Sequence, residues 1–422
     1  MTVSPKTKAL AALIALVLAA TACGDDSTGG PDEAEGLDVQ QLLGPQDQAT
    51  GEPVRLGMVS DGATQAFDNR DELRAAEATA EYWNEHRGGV AGRPIDVVTC
   101  ETGADPAGAT DCANQFVEDH VVAVALSQSS VAESVWEPLH QAGIPTLFFQ
   151  AVGDSMLADE QSTFVVVSPL STFFGLPISV AESEDADKIA FVIIDVPQAL
   201  SILQEGPASD ILDRAGLDHD VVRIPPGTAD MTSQMQEVVD SGAGVVHVIG
   251  NDAFCIAAFN GLRAVGYDGA ITSITQCITD ATREGVPGDV LEGMYLTSTL
   301  ALGATDDPTY QLYEAVMSEY GHDVTDVENF TAMGGYTAMA ALATSLEQIS
   351  GDITPQTVLD TIRSMPEQQL PGGGGVTFQC GRDAVQGEPA VCSNGWLRTQ
   401  LDAEGQPTTY EAIDSSDLLS SP

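Results

Sequence analysis

Val54-Arg55-Leu56-Gly57-Met58-Val59 is a short apolar run of strand type, and its downstream neighbours decide the fold. An amphipathic helical period extends from Asp68 to His86, Gly88-Gly89-Val90-Ala91-Gly92 turns the chain, and Ile95 to Thr99 is a second strand-like run. Strand, helix and strand joined by short connections make a βαβ unit, in which the strands pair in parallel and the helix covers one face.

Downstream the alternation continues. A helix is expected from Asp105 to Asp119, a strand from Val121 to Leu126, a helix from Val131 to Ala142 and a strand from Pro145 to Phe149. It restarts at Lys188 to Ile194, with a helix from Gln198 to Ala215, a short strand from Val221 to Ile224 and a helix from Met231 to Ser241. Gly244 to Ile249 is a strand, Ala253 to Val265 a helix and Ala270 to Thr275 a strand. Long helices come next, at Pro308 to Tyr320 and Asn329 to Ile349. The run Gly372-Gly373-Gly374-Gly375 then leads to strand-like stretches around Phe378 and Trp396. The expected fold is α/β, with two doubly wound Rossmann-like lobes that each own a parallel sheet.

Upstream, Lys6 and Lys8 precede an apolar run from Ala9 to Ala20 that ends in Ala20-Thr21-Ala22-Cys23-Gly24. A basic start, a short apolar stretch and small residues before the cleavage point describe a secretory signal over residues 1–22. The run is too short to span a bilayer. A Cys directly after the small residues resembles a bacterial lipoprotein signal, with Cys23 as the lipidated first residue of the mature chain. Gly24-Asp25-Asp26-Ser27-Thr28-Gly29-Gly30 then reads as a flexible tether, which the composition extends to Glu52. The protein is therefore expected outside the cytoplasm, held to the outer face of the cell membrane by lipid alone. Roughly 370 of the 422 residues remain for two folded lobes.

The chain has 63 Asp and Glu against 15 Lys and Arg, a formal charge of −48. Phosphate binding rests on clustered Lys and Arg, so nucleic acid is excluded as a partner. The acidic residues are spread along the whole chain, as on a solvated surface suited to salt, where screening tames self-repulsion. The melting temperature should accordingly rise between low and molar NaCl; indifference to salt would contradict that reading. With Cys23 taken by lipid, the other six cysteines form near-neighbour couples: Cys100 with Cys112, Cys255 with Cys277, Cys380 with Cys392. Spacing leaves other pairings open, but each couple lies where a short bridge fits, the last flanking the loop of an expected hairpin. No C-x-x-C or H-E-x-x-H occurs, so neither metal nor cofactor is expected.

Several stretches resemble the type I periplasmic solute-binding proteins, in particular the branched-chain amino acid family that feeds ABC importers. They are Val54 to Val59 with Ser60-Asp61-Gly62, Tyr82-Trp83-Asn84-Glu85 with Gly88 to Gly92, Asp105-Pro106 opening a helix, and Ala142-Gly143-Ile144-Pro145 before a strand. The likeness runs over residues 53–400. It implies three crossings between lobes, placed near Ser168-Pro169, Thr297-Ser298 and Gly372 to Gly375. One lobe is then 53–168 plus 299–371, the other 169–298 plus 372–410, with 411–422 a tail. It further implies a small-molecule solute held between the lobes, permease subunits as partners, and a monomer.

In open α/β sheets ligands bind beyond the strand C-termini. Ser127-Gln128-Ser129-Ser130 lies between a strand and a helix, where the resemblance puts the grip on a ligand carboxylate. Hydroxyls and free N–H groups at a helix N-terminus suit an anion, and also suit simple capping. Gln150-Ala151-Val152 should lie beside it; Val152 stands where the family often has Thr. In the second lobe Asp195, Asn251 and Asp252 occupy cleft-facing loop positions. Thr275-Gln276 stands where amino-acid-binding relatives place an acidic residue for the ammonium group, a role left to Asp252 or Asp280 unless they only cap helices. Phe67 is a candidate for the ligand's apolar part or for the core. An amino acid, an amide, a urea-like solute and an uncharged acid derivative all remain open. No G-x-S-x-G, no P-loop and no paired His speak for an enzyme. The alternative role is a ligand-sensing module for a membrane receptor or kinase.

Overall fold

The computed structural model describes residues 39–64, 67–151, 153–196, 199–200, 207–382, 384–385 and 387–416. The signal segment, Cys23, the tether as far as residue 38, Val152 and residues 417–422 lie outside the described residues. So do residues 201–206 of the helix expected from Gln198.

The first sheet is built from β1 (Val54–Ser60), β2 (Ile95–Glu101), β3 (Ala123–Leu126), β4 (Thr146–Phe148) and β5 (Thr163–Val165). All are parallel, in the order β2-β1-β3-β4-β5. The second comprises β6 (Lys188–Ile194), β7 (Asp218–Ile224), β8 (Val245–Ile249), β9 (Ala270–Ile274) and β10 (Tyr295–Ser298). These too are parallel, in the order β10-β9-β8-β6-β7. A small separate ladder pairs β11 (Gln368–Gln369) with β12 (Thr377–Phe378). Finally β13 (Gly395–Gln400) and β14 (Glu411–Asp414) extend the second sheet antiparallel beyond β10. The chain is thus a two-sheet α/β protein, as its alternation of elements implies.

Strand β6 shows why such runs read as continuously apolar. Ile189, Phe191 and Ile193 enter one core cluster while Ala190, Val192 and Ile194 enter another, so both faces are covered. The helix Pro106–Glu118 starts where the sequence sets it: Asp105 accepts from the backbone N–H of Ala107 and Gly108, and Pro106 needs no such partner. In the turn before β2, Gly89 has φ of 61°, and a Cβ there would lie 2.2 Å from the Arg93 carbonyl oxygen. No side chain fits, which is why the turn is glycine-rich.

Four expectations are corrected. Residues 39–52 are not tether. Val39–Leu43 is helical with Leu43 buried, and Asp47 and Ala49 donate backbone hydrogen bonds to Glu85 and Asn84 of the helix Asp71–His86. Second, β12 and β13 form no hairpin with each other; each pairs elsewhere. Third, the final passage between sheets lies at Ser393–Gly395, not at the glycine run. Val376, Phe378, Cys380 and Cys392 pack into the core beneath the first sheet, and Cys392 N–H bonds to the Val165 carbonyl of β5. Fourth, residues 411–414, expected in the tail, pair with β13 as β14, and beside them the indole N–H of buried Trp396 donates to Ser415 Oγ at 2.7 Å. The first passage falls at Ser168, which caps the helix Pro169–Ser183.

Among the described residues three disulfides join Cys100 to Cys112, Cys255 to Cys277 and Cys380 to Cys392. Replacing Cys100 and Cys112 by Ser should cost about 2–3 kcal/mol, since a loop of this length relieves that much chain entropy in the unfolded state. Urea denaturation measures it; an unchanged midpoint would show the bridge to be dispensable.

Candidate functional site

The C-terminal ends of β3 and β4 in the first sheet and of β9 and β10 in the second meet around a cavity of about 220 Å³. Gln128 and Ser129 come after β3, and Gln150 and Ala151 after β4. Thr275 and Gln276 follow β9 in a short 3-10 turn, Thr297 and Ser298 end β10 with Thr299 just beyond, and Thr172, Phe173 and Phe330 close the sides. The structure therefore brings together Gln128, Ser129, Gln150, Ala151 and Gln276 of the residues expected from sequence. Gln128 Nε2 donates to Gln150 Oε1 at 2.9 Å, a bridge between two loops of the first lobe.

Among the described residues the lining has no charged side chain. Its polar groups are amides and hydroxyls, set among Ala132, Met156, Phe173, Ile274 and Phe330. Thr297 is 1% exposed and its hydroxyl has no hydrogen-bond partner among the described residues. A buried hydroxyl left unpaired costs about 1–3 kcal/mol, so such a group is a natural contact for a polar ligand. A second, larger cavity of about 850 Å³ adjoins the first through Thr275, Gln276, Ser298 and Phe330. Its wall is acidic, with Asp280, Glu314, Asp326 and Glu328; Arg283, its basic member, is paired with Asp280 at 2.8 Å.

Ser129 and Ser130 are already engaged. Asp61, at the end of β1, accepts from Ser129 Oγ at 2.6 Å, Ser130 N–H at 2.8 Å, Ser130 Oγ at 2.7 Å and Thr102 Oγ1 at 2.8 Å. Asp61 is 3% exposed. Burial works to raise its pKa, but the bonds from Ser129, Ser130 and Thr102 outweigh burial and hold the carboxyl below its ordinary value. The anion expected at these serines is thus the protein's own. A sequence signal existed: β1 and β3 are neighbours in a doubly wound sheet, so the acid of Ser60-Asp61-Gly62 abuts the serine loop.

Behind Asp61 lies Glu72, 3% exposed, with one carboxyl oxygen unpaired. Burial, with a further push from the Asp61 charge, drives its pKa up to about 8.

The other expected residues stand apart from the smaller cavity. Phe67 is 40% exposed on the loop after β1. Asp195 is exposed at the end of β6. Asn251 and Asp252 spend their side chains on the start of the helix Asp252–Val265, accepting from Phe254 and Ala253 N–H. The sequence reading missed Thr297, Thr172 and Phe330, whose positions depend on which helix ends face the second sheet.

Two sheets whose strand ends face one cavity define the architecture of a two-lobed binding protein. The model of the periplasmic binding protein family matches residues 53–389, and the chain belongs to that family. Solved structures with the same fold include an ABC transporter substrate-binding protein from Sphaerobacter thermophilus, 18% identical, with TM-score 0.68, covering 87% of this chain and 100% of that one. The substrate-binding protein LivJ from Streptococcus pneumoniae, in complex with isoleucine, is 14% identical with TM-score 0.63, covering 86% and 100%. A solute-binding protein of an ABC transporter from R. palustris, in complex with 4-hydroxybenzoate, is 18% identical with TM-score 0.64, covering 86% and 97%. No curated protein matches the chain in sequence. Among the described residues no helix is long and apolar enough to cross a membrane.

Proposed function

We propose that this chain is an extracytoplasmic solute-binding protein, anchored through lipid on Cys23, that captures a small uncharged polar solute of amide type between its lobes and delivers it to an ABC importer. The observation that carries this reading is the lining of the inter-lobe cavity, where the described residues offer amides, hydroxyls and apolar surface but no charge. A zwitterionic amino acid needs a cation or free donors for its carboxylate and an acid for its ammonium. Within the smaller cavity Thr275 and Gln276 supply no acid, the acidic wall belonging to the adjoining cavity, and the hydroxyls of Ser129 and Ser130 are spent on Asp61. The relatives bound to isoleucine and to 4-hydroxybenzoate support a fold that accommodates chemically different solutes. A ligand touching both lobes favours their closed arrangement by its differential affinity for it. The protein acts as a monomer that hands its solute to the permease subunits.

A thermal-shift screen of the purified protein at high salt tests this, with amides, ureas, amino acids, aromatic acids, polyamines and sugars. A ligand at 100 times its Kd stabilises by about 2.7 kcal/mol, readily seen as a raised Tm. Hits among amides or ureas are expected. Hits confined to amino acids or other carboxylates would overturn the ligand class, and a silent panel would overturn solute capture.

A further inference from the structure

We propose that Asp61 is the specificity-determining residue of the cleft: its carboxylate fills a ready-made carboxylate subsite beside the cavity and so excludes carboxylate ligands. The proposal rests on the solute-capture reading and names what sets its ligand class.

The donors converge as they would on a bound carboxylate. Thr102 comes after β2 and Ser129 and Ser130 after β3, and together they give four hydrogen bonds to the two oxygens of Asp61, all between 2.6 and 2.8 Å. Four donors on two oxygens suit an ionised carboxylate, which only accepts. No cation pairs with Asp61 among the described residues, so its charge is held by neutral donors alone. Ser129 belongs to both environments: its hydroxyl bonds Asp61 and its side chain lines the cavity. A carboxylate ligand arriving there finds the Ser129 and Ser130 hydroxyls and the Ser130 N–H already given to Asp61, and a fixed negative charge lies one hydroxyl away. An amide or hydroxyl group carries no charge for Asp61 to repel.

A purely structural role, tying the loops after β1, β2 and β3 together, would leave ligand preference untouched when Asp61 is replaced. The discriminating experiment is calorimetric titration of the full-length chain in mild detergent at high salt. Its probes are isosteric pairs from acetate and acetamide to benzoate and benzamide. The wild type should prefer the amide of each pair. Asp61→Ala empties the subsite and should gain at least about tenfold in affinity for the carboxylate members, as one recovered charge-assisted hydrogen bond implies. Asp61→Asn still fills the space and should gain nothing.

A folded Asp61→Ala variant without that gain overturns the proposal. So does a wild type that prefers the carboxylates, and this arm decides even if the variant does not fold; in that case solute capture stands. If no member of any pair binds either protein, the proposal is overturned, and solute capture itself is decided by the thermal-shift screen.

Discussion

Glu72→Gln should stabilise the protein at pH 8 and above by on the order of 4 kcal/mol, and change it little at pH 4.5. The expectation rests on one buried acid. The Glu72 pKa is about 8 in the folded chain against 4.5 as its ordinary value, because burial disfavours the ionised form. Below pH 4.5 the group is protonated in both folded and unfolded states and contributes no pH dependence. Between 4.5 and about 8 the unfolded chain releases the proton while the native state keeps it, so wild-type stability falls as pH rises through this window. Above it, the native state must ionise a carboxylate with an unpaired oxygen beside the Asp61 charge. Gln keeps the shape and never ionises. Urea denaturation of both proteins from pH 4.5 to 9 measures the effect. Parallel curves would show that Glu72 is ionised and satisfied in the native state.

The second large effect is expected at the helix that covers the same region. Phe330–Ser345 packs against Asp71–His86 so closely that a Cβ on Gly335 would lie 2.2 Å from the Glu72 carbonyl oxygen and 2.6 Å from its Cα. Backbone cannot yield as a flexible side chain does, so the two helices would have to part. Gly335→Ala should therefore cost about 3 kcal/mol or more, at the upper end for overpacked cores. A matched control is Gly285, whose added Cβ would meet Ile256 at an ordinary 3.4 Å; Gly285→Ala should stay within about 0.5 kcal/mol of wild type. Equal midpoints for Gly335→Ala and wild type would mean that the helices do not meet backbone to backbone.

Much of the framework is legible in the sequence because parallel strands buried on both faces are apolar at every position. Lys188–Ile194 is read to the residue, and Pro308–Tyr320 likewise. The Pro169–Ser183 helix is hidden for the opposite reason. It is buried nearly all round, carries Pro177 inside, and packs Gly175 against Trp396, so it shows no polar face and no helical period. The docking of residues 39–52 escapes notice too, since its hydrogen bonds use backbone, to which composition is blind.

At the site, the loops after strands are legible and their partners are not. Gln128, Ser129 and Gln150 are expected there from their place after strands together with the family resemblance, whereas the Asp61 contact joins residues 68 and 69 apart in the chain. Thr297 is reached only when the second sheet is turned toward the first. Local pattern thus shows which loops follow strands, and long-range contacts decide which of their polar groups are already paired.

Filling the cavity puts solute capture between the lobes to the sharpest trial. Ala132 opens the helix Ala132–Ala142 and lines the space between the strand ends. For any solute that raises the wild-type Tm, Ala132→Trp should abolish the shift while leaving the unliganded Tm close to wild type. A thermal shift that survives in Ala132→Trp would place the ligand elsewhere and contradict the reading of this cleft.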